Sequence, residues 1–126
     1  MVTPATKRIL LVEDDFDIGD ALGELLREMG HEVEIATNGA LALDQLRTGR
    51  TFDLILLDLM MPVMDGYEFR ALQLANPDFA TVPVVVVSAD TKAHRRMQEL
   101  KPKALLGKPV PIEELTALID ATQRAA

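Results

Sequence analysis

The sequence predicts an α/β domain in which a five-stranded parallel sheet is covered by helices on both faces. Short apolar runs alternate with longer amphipathic stretches along the chain, and three of the four-residue runs are apolar throughout. Continuous apolar strands rich in Val, Ile and Leu are typical of parallel sheets, because helices bury both of their faces. Right-handed crossovers leave few topologies for a doubly wound chain of this kind, and the strand order 2-1-3-4-5 is the leading one.

Five segments are predicted strands, and each is followed by a predicted helix. The strands are 9–12 (ILLV), 33–36 (VEIA), 54–57 (LILL), 84–87 (VVVV) and 104–106 (ALL). The helices are recognised by apolar residues at helical spacing, by polar N-caps and by Gly or Pro at their ends. They run from about Ile18 to Gly30 with Asp15 or Asp17 as the cap, from Asn38 or Gly39 to near Gly49, from Tyr67 to Ala75, from roughly Lys92 to Leu100, and onward from near Pro111.

The composition restricts the class of protein. The chain has 126 residues, which suits one domain, and its lack of Cys excludes disulfides, thiol catalysis and Cys-bound metals. No apolar run is long enough to span a membrane, and the first residues lack the apolar core of a signal peptide. We therefore expect a cytoplasmic protein. The net charge of −7 argues against contacts with nucleic-acid backbones.

Polar side chains follow four of the five predicted strands at the point where each strand ends. Glu13 and Asp14 follow the first strand, Asp58 the third, Ser88 the fourth and Lys108 the fifth. Ligands of doubly wound sheets bind beyond the carboxyl ends of the strands, where these side chains are predicted to meet.

These residue types suit the binding and transfer of a phosphoryl group. Neighbouring carboxylates repel one another, and Mg²⁺ relieves that repulsion because it takes carboxylate oxygens and leaves positions for phosphate oxygens. A carboxylate such as Asp58 is also able to act as a nucleophile and form an aspartyl phosphate. Lys108 and Ser88 would then bind phosphoryl oxygens, the first through its charge and the second as a hydrogen-bond donor.

Each of these residues taken alone also has an ordinary structural explanation. Asp14 would serve as a helix N-cap, Ser88 as a loop hydroxyl and Lys108 as a solvated cation, while Pro62 and Gly66 are turn residues. Asp58 is harder to explain in this way, because four apolar residues precede it and a neutral Asn or Ser would cap a strand end equally well. The four strand ends together therefore favour a site.

Four segments resemble the response-regulator receiver domain, the phosphoacceptor module of two-component signalling. They are ILLVEDD (9–15), DLILLDLMMPVMDGYEF (53–69), VVVVSAD (84–90) and KPVPIEEL (108–115), and they stand in the order and near the spacing of that family. The resemblance covers about residues 7–122, which form the core of a single predicted domain over 1–126. It implies a flavodoxin-like fold with five helices.

The resemblance also assigns roles to individual residues. It implies that Asp58 is phosphorylated, that Asp14 binds Mg²⁺ directly and that Glu13 binds it more through water. The backbone carbonyl of Met60 is the third protein ligand implied. Ser88 is implied as the switch hydroxyl that turns towards the phosphoryl group, and Lys108 as its ionic partner.

Two further features follow from the same resemblance. It implies a cis peptide bond between Lys108 and Pro109. Receivers often carry Tyr or Phe three residues before the Lys, where this chain has Leu105. The usual rotamer coupling through an aromatic ring is therefore not expected here. We expect phosphorylation to act mainly on the loops after the third and fourth strands and on the start of the fourth helix.

The function implied is a phosphorylation-dependent switch without an activity on outside metabolites. Its phosphoryl donor would be a sensor histidine kinase or a histidine phosphotransfer protein, its target an unknown downstream protein, and its own chemistry weak self-phosphotransfer and autodephosphorylation. Neither a nucleic acid nor a membrane is an expected partner, and we expect no output domain. Two alternatives stay open: a docking scaffold that is never phosphorylated, and a phosphatase with an Asp nucleophile, which would want an acid where Met60 stands.

Overall fold

The computed structural model describes residues 6–89 and 92–123. Strands and helices alternate along this part of the chain as the sequence predicts. In chain order they are β1 (Arg8–Val12), α1 (Phe16–Glu28), β2 (Glu32–Ala36), α2 (Gly39–Arg47), β3 (Leu54–Leu57), α3 (Gly66–Ala75), β4 (Val84–Ser88), a 3₁₀ turn (Ala93–Arg96) that runs into α4 (Met97–Leu100), β5 (Ala104–Gly107) and α5 (Ile112–Ala121).

The five strands form one parallel sheet in the order β2-β1-β3-β4-β5, which confirms the predicted topology. Val12 is in register with Leu57, and Leu57 is in register with Val86. The carboxyl ends of β1 and β3 are therefore level, and β4 continues for two residues to Ser88. The residues that follow them are brought to one edge of the sheet.

The core consists of two apolar layers, one on each face of the sheet. The first lies under α2, α3 and α4 and includes Leu43, Phe69 and Leu100. The second lies under α1 and α5 and includes Leu26 and Ile119. Successive residues of the central strands alternate between the two layers. This is why β1, β3 and β4 are apolar at almost every position.

The helix starts agree with the predicted caps and decide the alternatives that the sequence left open. Asp15, and not Asp17, caps α1, and its carboxylate accepts a hydrogen bond of 3.1 Å from the amide of Ile18. Asn38 caps α2 through a hydrogen bond of 2.8 Å from the amide of Leu41. The last helix begins at Ile112, directly after the proline expected near its start.

The fourth helix, predicted over roughly 92–100, is present, but its first half is not an α-helix. A 3₁₀ turn occupies Ala93–Arg96, and only Met97–Leu100 are α-helical. Within this stretch only Ala93 and Leu100 are fully buried, so the segment lacks the apolar stripe that normally stabilises a longer helix. The chain then turns at Lys101, which has a φ of +43°, and Pro102 prevents the helix from continuing.

A buried polar network attaches the end of α4 to α3. The guanidinium of Arg70 is buried and donates hydrogen bonds of 2.7 and 2.8 Å to the carbonyls of Leu100 and Lys101. It also donates to the side chain of Gln73, at 2.6 Å. Burial lowers the pKa of Arg70. The last carbonyls of α4 are thus satisfied by a side chain of another helix.

In the part of the chain that the structure describes, every helix falls short of the length and apolarity that a membrane crossing requires.

Candidate functional site

The predicted site residues lie where the central strands end. Glu13 directly follows β1, and Asp58 directly follows β3. Their amides continue the hydrogen bonding of the sheet, since Glu13 donates to the carbonyl of Ala36 and Asp58 to the carbonyl of Val12, both at 3.0 Å. The backbone at both carboxylates is therefore fixed by the sheet itself.

Three carboxylates converge at this edge. One oxygen each of Glu13, Asp14 and Asp58 lies within 4.8 Å of the others. Glu13 and Asp58 are only 3% and 6% exposed, whereas Asp14 is exposed to solvent. Carboxylates this close resist joint ionisation unless a cation compensates their charge.

Lys108 supplies a positive charge to the same cluster. Its Nζ donates a hydrogen bond of 2.8 Å to Oε1 of Glu13 and one of 3.3 Å to Oδ2 of Asp58. The Lys108–Pro109 peptide bond is cis, as the resemblance implied. The amide of Lys108 also donates to the carbonyl of Ser88, at 3.2 Å, which links the ends of β4 and β5.

The surroundings shift the proton affinities of Glu13 and Lys108. Burial raises the pKa of Glu13 to about 7, and its interaction with Asp58 acts in the same direction, against the opposing effect of Lys108. Burial alone lowers the pKa of Lys108, but the hydrogen bond to Glu13 and the charge of Asp58 outweigh it and raise that pKa. The charged form of Glu13 is therefore disfavoured in the folded chain, whereas the ammonium group of Lys108 remains charged.

The donor set fits a hard divalent cation. Oε2 of Glu13 is buried and accepts no hydrogen bond from any of the residues 6–89 and 92–123. A buried acceptor without a partner is costly, and a bound cation removes that cost. Carboxylate oxygens are the ligands that Mg²⁺ prefers. The amide of Met60 donates to Oδ1 of Asp58 at 3.3 Å, which places the backbone of Met60 beside the cluster.

Ser88 is buried at the end of β4, in register with Gly107 of β5. Ser88 and Lys108 line one cavity, together with Leu105 and His94. Leu105 is half-buried and packs against the apolar layer under α2, α3 and α4. The structure thus brings the predicted hydroxyl and ammonium groups to a shared space, and Leu105 forms part of its wall.

Gly66 lies very close to the backbone that follows β3, and the sequence did not indicate this contact. A Cβ on Gly66 would lie 2.6 Å from the carbonyl oxygen of Asp58 and 2.8 Å from the Cα of Leu59. Asp65 caps α3 by accepting from the amide of Glu68 at 2.9 Å. The Asp-Gly pair indicates a turn in the sequence, but the contact with Asp58 depends on the tertiary fold.

The start of α3 contacts the 3₁₀ turn, which the sequence did not indicate either. The guanidinium of Arg96 lies 3.5 Å from the centre of the Tyr67 ring, a cation–π geometry. Arg96 also pairs with both carboxylate oxygens of Glu99, at 2.6 and 2.7 Å. No sequence spacing indicates a pair of residues this far apart along the chain.

Comparisons with known proteins identify the family. The sequence model of the response regulator receiver domain family matches residues 9–120 of this chain. The probable transcriptional regulator ycf29 of Pyropia yezoensis is 35% identical over 115 residues, which cover 90% of this chain and 51% of that protein. The response regulator MprA of Mycobacterium avium is 37% identical over 120 residues, covering 93% and 51%. The chain spans about half the length of these two relatives.

Solved structures agree with this match. A putative response regulator from Chloroflexus aurantiacus superposes with a TM-score of 0.83 at 28% identity, covering 92% of this chain and 98% of that one. The response regulator TrrA of Thermotoga maritima, solved in complex with Mg²⁺-BeF, gives a TM-score of 0.79 at 26% identity, covering 90% and 96%. The chain therefore belongs to the response regulator receiver domain family.

Proposed function

We propose that the chain is a signalling switch that accepts a phosphoryl group on Asp58 and changes its binding to a partner as a result. The contact of Lys108 with both Glu13 and Asp58, inside a cluster of three carboxylates, is the observation that carries this proposal. An ion pair used only for stability would not need a third, unpaired acid beside it.

The chemical step is the transfer of a phosphoryl group from a phosphohistidine to a carboxylate. An oxygen of Asp58 attacks the phosphorus, the P–N bond breaks, and the imidazole leaves with the bonding electrons. Asp58 is suited to this role because the sheet fixes its backbone and the amide of Met60 orients Oδ1. The donor would be a sensor histidine kinase or a histidine phosphotransfer protein.

Glu13, Asp14, Asp58 and the backbone carbonyl of Met60 would hold Mg²⁺. When bound, the ion supplies positive charge for the oxygens of the transferred group. The partnerless Oε2 of Glu13 and the exposed carboxylate of Asp14 support this assignment. Lys108 adds a second positive charge from the carboxyl end of β5.

Ser88 and Lys108 would read out the modification. The ammonium of Lys108 exchanges part of its contact with Glu13 for a phosphoryl oxygen, and the hydroxyl of Ser88 donates to another. Both residues line the cavity next to the 3₁₀ turn, so their movement reaches the surface there. Slow hydrolysis of the acyl phosphate, with weak self-phosphotransfer from small donors, would complete the cycle.

We also propose a cytoplasmic location and a protein as the downstream target, with no direct contact between this domain and nucleic acid. The net charge of −7 supports the last point. A longer protein that contains such a domain is free to carry a separate DNA-binding part.

Two rival functions make different demands on the site. A phosphatase with an Asp nucleophile needs a proton donor two residues later, and Met60 cannot transfer protons. A docking scaffold that is never phosphorylated does not require this combination of side chains. The combination comprises the partly buried Lys108, a Glu13 oxygen without a partner among the described residues, and the exposed Asp14. The residues present therefore favour the switch.

Incubation with Mg²⁺ and acetyl phosphate, followed by intact-mass measurement, tests the proposal. We expect one phosphoryl adduct that requires Mg²⁺ and is absent from Asp58→Asn. Asp53→Asn is a matched control, because Asp53 is also a buried aspartate but its Oδ2 accepts a hydrogen bond from the Arg8 amide at the other end of the sheet. No adduct on the wild-type chain would favour the scaffold, and steady release of phosphate from added phosphomonoesters would favour the phosphatase.

A further inference from the structure

Charge is distributed unevenly along the chain. Residues 92–108 contain six of the thirteen Lys and Arg residues but a single acid, Glu99, although the whole chain carries a net charge of −7. The sixth cation, Lys108, points into the carboxylate cluster. The other five are exposed, and we call them the basic surface: Lys92, Arg95, Arg96, Lys101 and Lys103.

The basic surface lies at the start of the 3₁₀ turn, on that turn, and on the short loop between α4 and β5, which is an edge strand of the sheet. Two contacts order part of this surface, namely the backbone at Lys101 and the side chain of Arg96. Arg70 binds the carbonyl of Lys101 at 2.8 Å, and Arg96 is stacked on Tyr67. A surface that is ordered before binding loses little conformational entropy when a partner arrives.

Part of the positive charge of this surface has no ion-pair partner among residues 6–89 and 92–123. Arg95 and Lys101 form no ion pair with any residue of the described segments, although cations elsewhere do. Arg50, for example, lies 2.7 Å from Glu34 on the far side of the sheet. Positive charge without an internal partner is therefore concentrated at the 3₁₀ turn and the end of α4.

We propose that the basic surface is the docking site for a segment rich in Asp and Glu on the downstream protein. The inference rests on the proposed function, since it names the chemistry of the partner that the switch regulates. Charge complementarity favours such a segment, because an acidic partner gains attraction at this surface and is repelled by the rest of the molecule.

The neighbouring surface favours a short acidic segment over a nucleic acid. α5 packs on the opposite face of the sheet from α4, and it exposes Glu113, Glu114 and Asp120. Residues 109–123 contain no Lys or Arg. A long polyanion that left the basic surface on this side would meet uncompensated negative charge, whereas a short peptide segment stays within the surface.

The position of the basic surface links docking to the site. Lys92 lies four residues after Ser88, and His94 of the 3₁₀ turn lines the cavity that Ser88 and Lys108 share. Movement of Ser88 towards a phosphoryl group would shift the 3₁₀ turn and change the spacing of its cations. The affinity for the acidic segment is therefore expected to differ between the two states.

A fluorescein-labelled Glu-rich peptide, followed by fluorescence anisotropy at several salt concentrations, tests the surface. Arg95→Glu should weaken binding about fivefold, as expected for the loss and reversal of one exposed charge contact. Arg47→Glu makes the same charge change on α2 and should weaken binding by less than about twofold, because screening limits its reach. Arg95→Gln should give an intermediate loss, and circular dichroism verifies that each variant is folded.

Several results would overturn the proposal. An equal loss in the Arg95 and Arg47 variants would mean that only net charge matters. Tighter, Arg95-dependent binding of a single-stranded oligonucleotide of equal charge would identify a nucleic-acid surface instead. Sedimentation that shows self-association abolished by Arg95→Glu would identify a second copy of the chain as the occupant.

A second arm, with Mg²⁺ and beryllofluoride, separates this inference from the proposed function. A change in Arg95-dependent peptide affinity on activation supports regulated docking. If Asp58 accepts a phosphoryl group but the affinity stays the same, regulated docking is overturned and the proposed function stands. If Asp58 accepts none, the proposed function fails, while Arg95-dependent binding still supports the surface.

Discussion

The ammonium of Lys108 lies closer to Glu13 than to Asp58, at 2.8 Å against 3.3 Å. These residues are 95 and 50 positions away along the chain, and the parallel sheet brings them together. Without a bound cation, Lys108 is the only group among the described residues that offers positive charge to the three carboxylates. Phosphorylation would have to redirect it, which makes this contact the starting point of the proposed switch.

Removal of one carboxylate from the cluster should stabilise the metal-free chain. Asp14→Asn relieves repulsion without changing shape, and we expect the free energy of unfolding to rise by about 1 kcal/mol. Urea denaturation in the presence of EDTA measures it. Asp20→Asn is the control, because Asp20 is an exposed acid of α1. We also expect Mg²⁺ to bind Asp14→Asn more weakly than it binds the wild type. A fall in the stability of Asp14→Asn would instead mean that the Asp14 carboxylate acts as a structural hydrogen-bond acceptor.

The same substitution at two glycines should have opposite effects. Gly66→Ala places a Cβ 2.6 Å from the carbonyl of Asp58, so β3 or α3 must move, at a cost of about 1–3 kcal/mol. Gly19→Ala adds a Cβ within α1 whose nearest neighbours, the Cβ and Cγ of Glu13, lie at an ordinary contact distance of 3.7 Å, and it should stabilise by about 0.5–1 kcal/mol. Thermal unfolding of both variants decides this, and a stabilised Gly66→Ala would contradict the close contact.

Val63 is held in a strained backbone conformation. Its φ is +70°, a region that β-branched residues rarely adopt, and its side chain is 84% exposed. Val63→Gly removes the strain without loss of burial, but it also gives the unfolded chain more conformational entropy. We expect the free energy of unfolding to rise by about 1 kcal/mol as the net result. Val63→Asn should gain less. Chemical denaturation measures both, and a loss of stability in both variants would refute the strain.

The pH dependence of stability should contain two opposing contributions. His31 is buried, its Nδ1 accepts from the Lys7 amide at 3.0 Å, and burial lowers its pKa. As the pH falls, His31 is protonated in the unfolded chain before it is protonated in the folded chain. Its contribution to stability is therefore present above about pH 6.5 and is lost as the pH falls towards the folded pKa. Glu13 acts in the reverse sense: its pKa of about 7 makes the folded chain lose stability as the pH rises from about 4.5 to 7.

Variants separate these two contributions. The difference in unfolding free energy between the wild type and His31→Asn should shrink as the pH falls below about 6.5. Glu13→Gln removes the destabilising contribution of the Glu13 carboxylate. The free energy of unfolding of the wild type should therefore fall relative to that of Glu13→Gln as the pH rises from about 4.5 to 7. Parallel curves for the wild type and His31→Asn would show that the imidazole is not a buried neutral group.

Activation should change the site loops more than β5 and α5. Leu105 has neither a ring nor a hydroxyl, and it already packs against the apolar layer. Amide shifts with and without beryllofluoride should be largest in the loops after β3 and β4 and in the 3₁₀ turn. Large shifts centred on Leu105 and on residues 113–117, or a strong activation-dependent dimer, would show that the switch operates through β5 without an aromatic ring.

The strands and their order were predictable from the sequence because burial on both faces leaves a continuous apolar signal. Leu54–Leu57 illustrate this, since all four are buried. The convergence of Glu13, Asp58 and Lys108 was also predictable, because parallel strands end at the same edge. Local patterns were sufficient wherever a single element decided the outcome, as with Gly30, which follows the end of α1 and has a φ of +96°.

Other features depend on contacts between distant segments. The stretch 92–100 is polar and adopts a 3₁₀ turn where Arg96 meets Tyr67, and the buried Arg70 joins two helices. Gly66 looks like an ordinary turn residue until β3 is placed beside it. Periodicity describes how one element faces the core, and it holds no information about which side chain another element presents.

Location of the phosphoryl group within the chain tests the central claim most directly. The chain is incubated with Mg²⁺ and acetyl phosphate, reduced with borohydride, digested and sequenced by mass spectrometry, so that an aspartyl phosphate is recovered as homoserine. We predict homoserine at position 58 in the wild type and in Asp53→Asn, and none in Asp58→Asn. Homoserine at any other aspartate, or an adduct that persists in Asp58→Asn, would contradict the assignment of Asp58 as the phosphoacceptor.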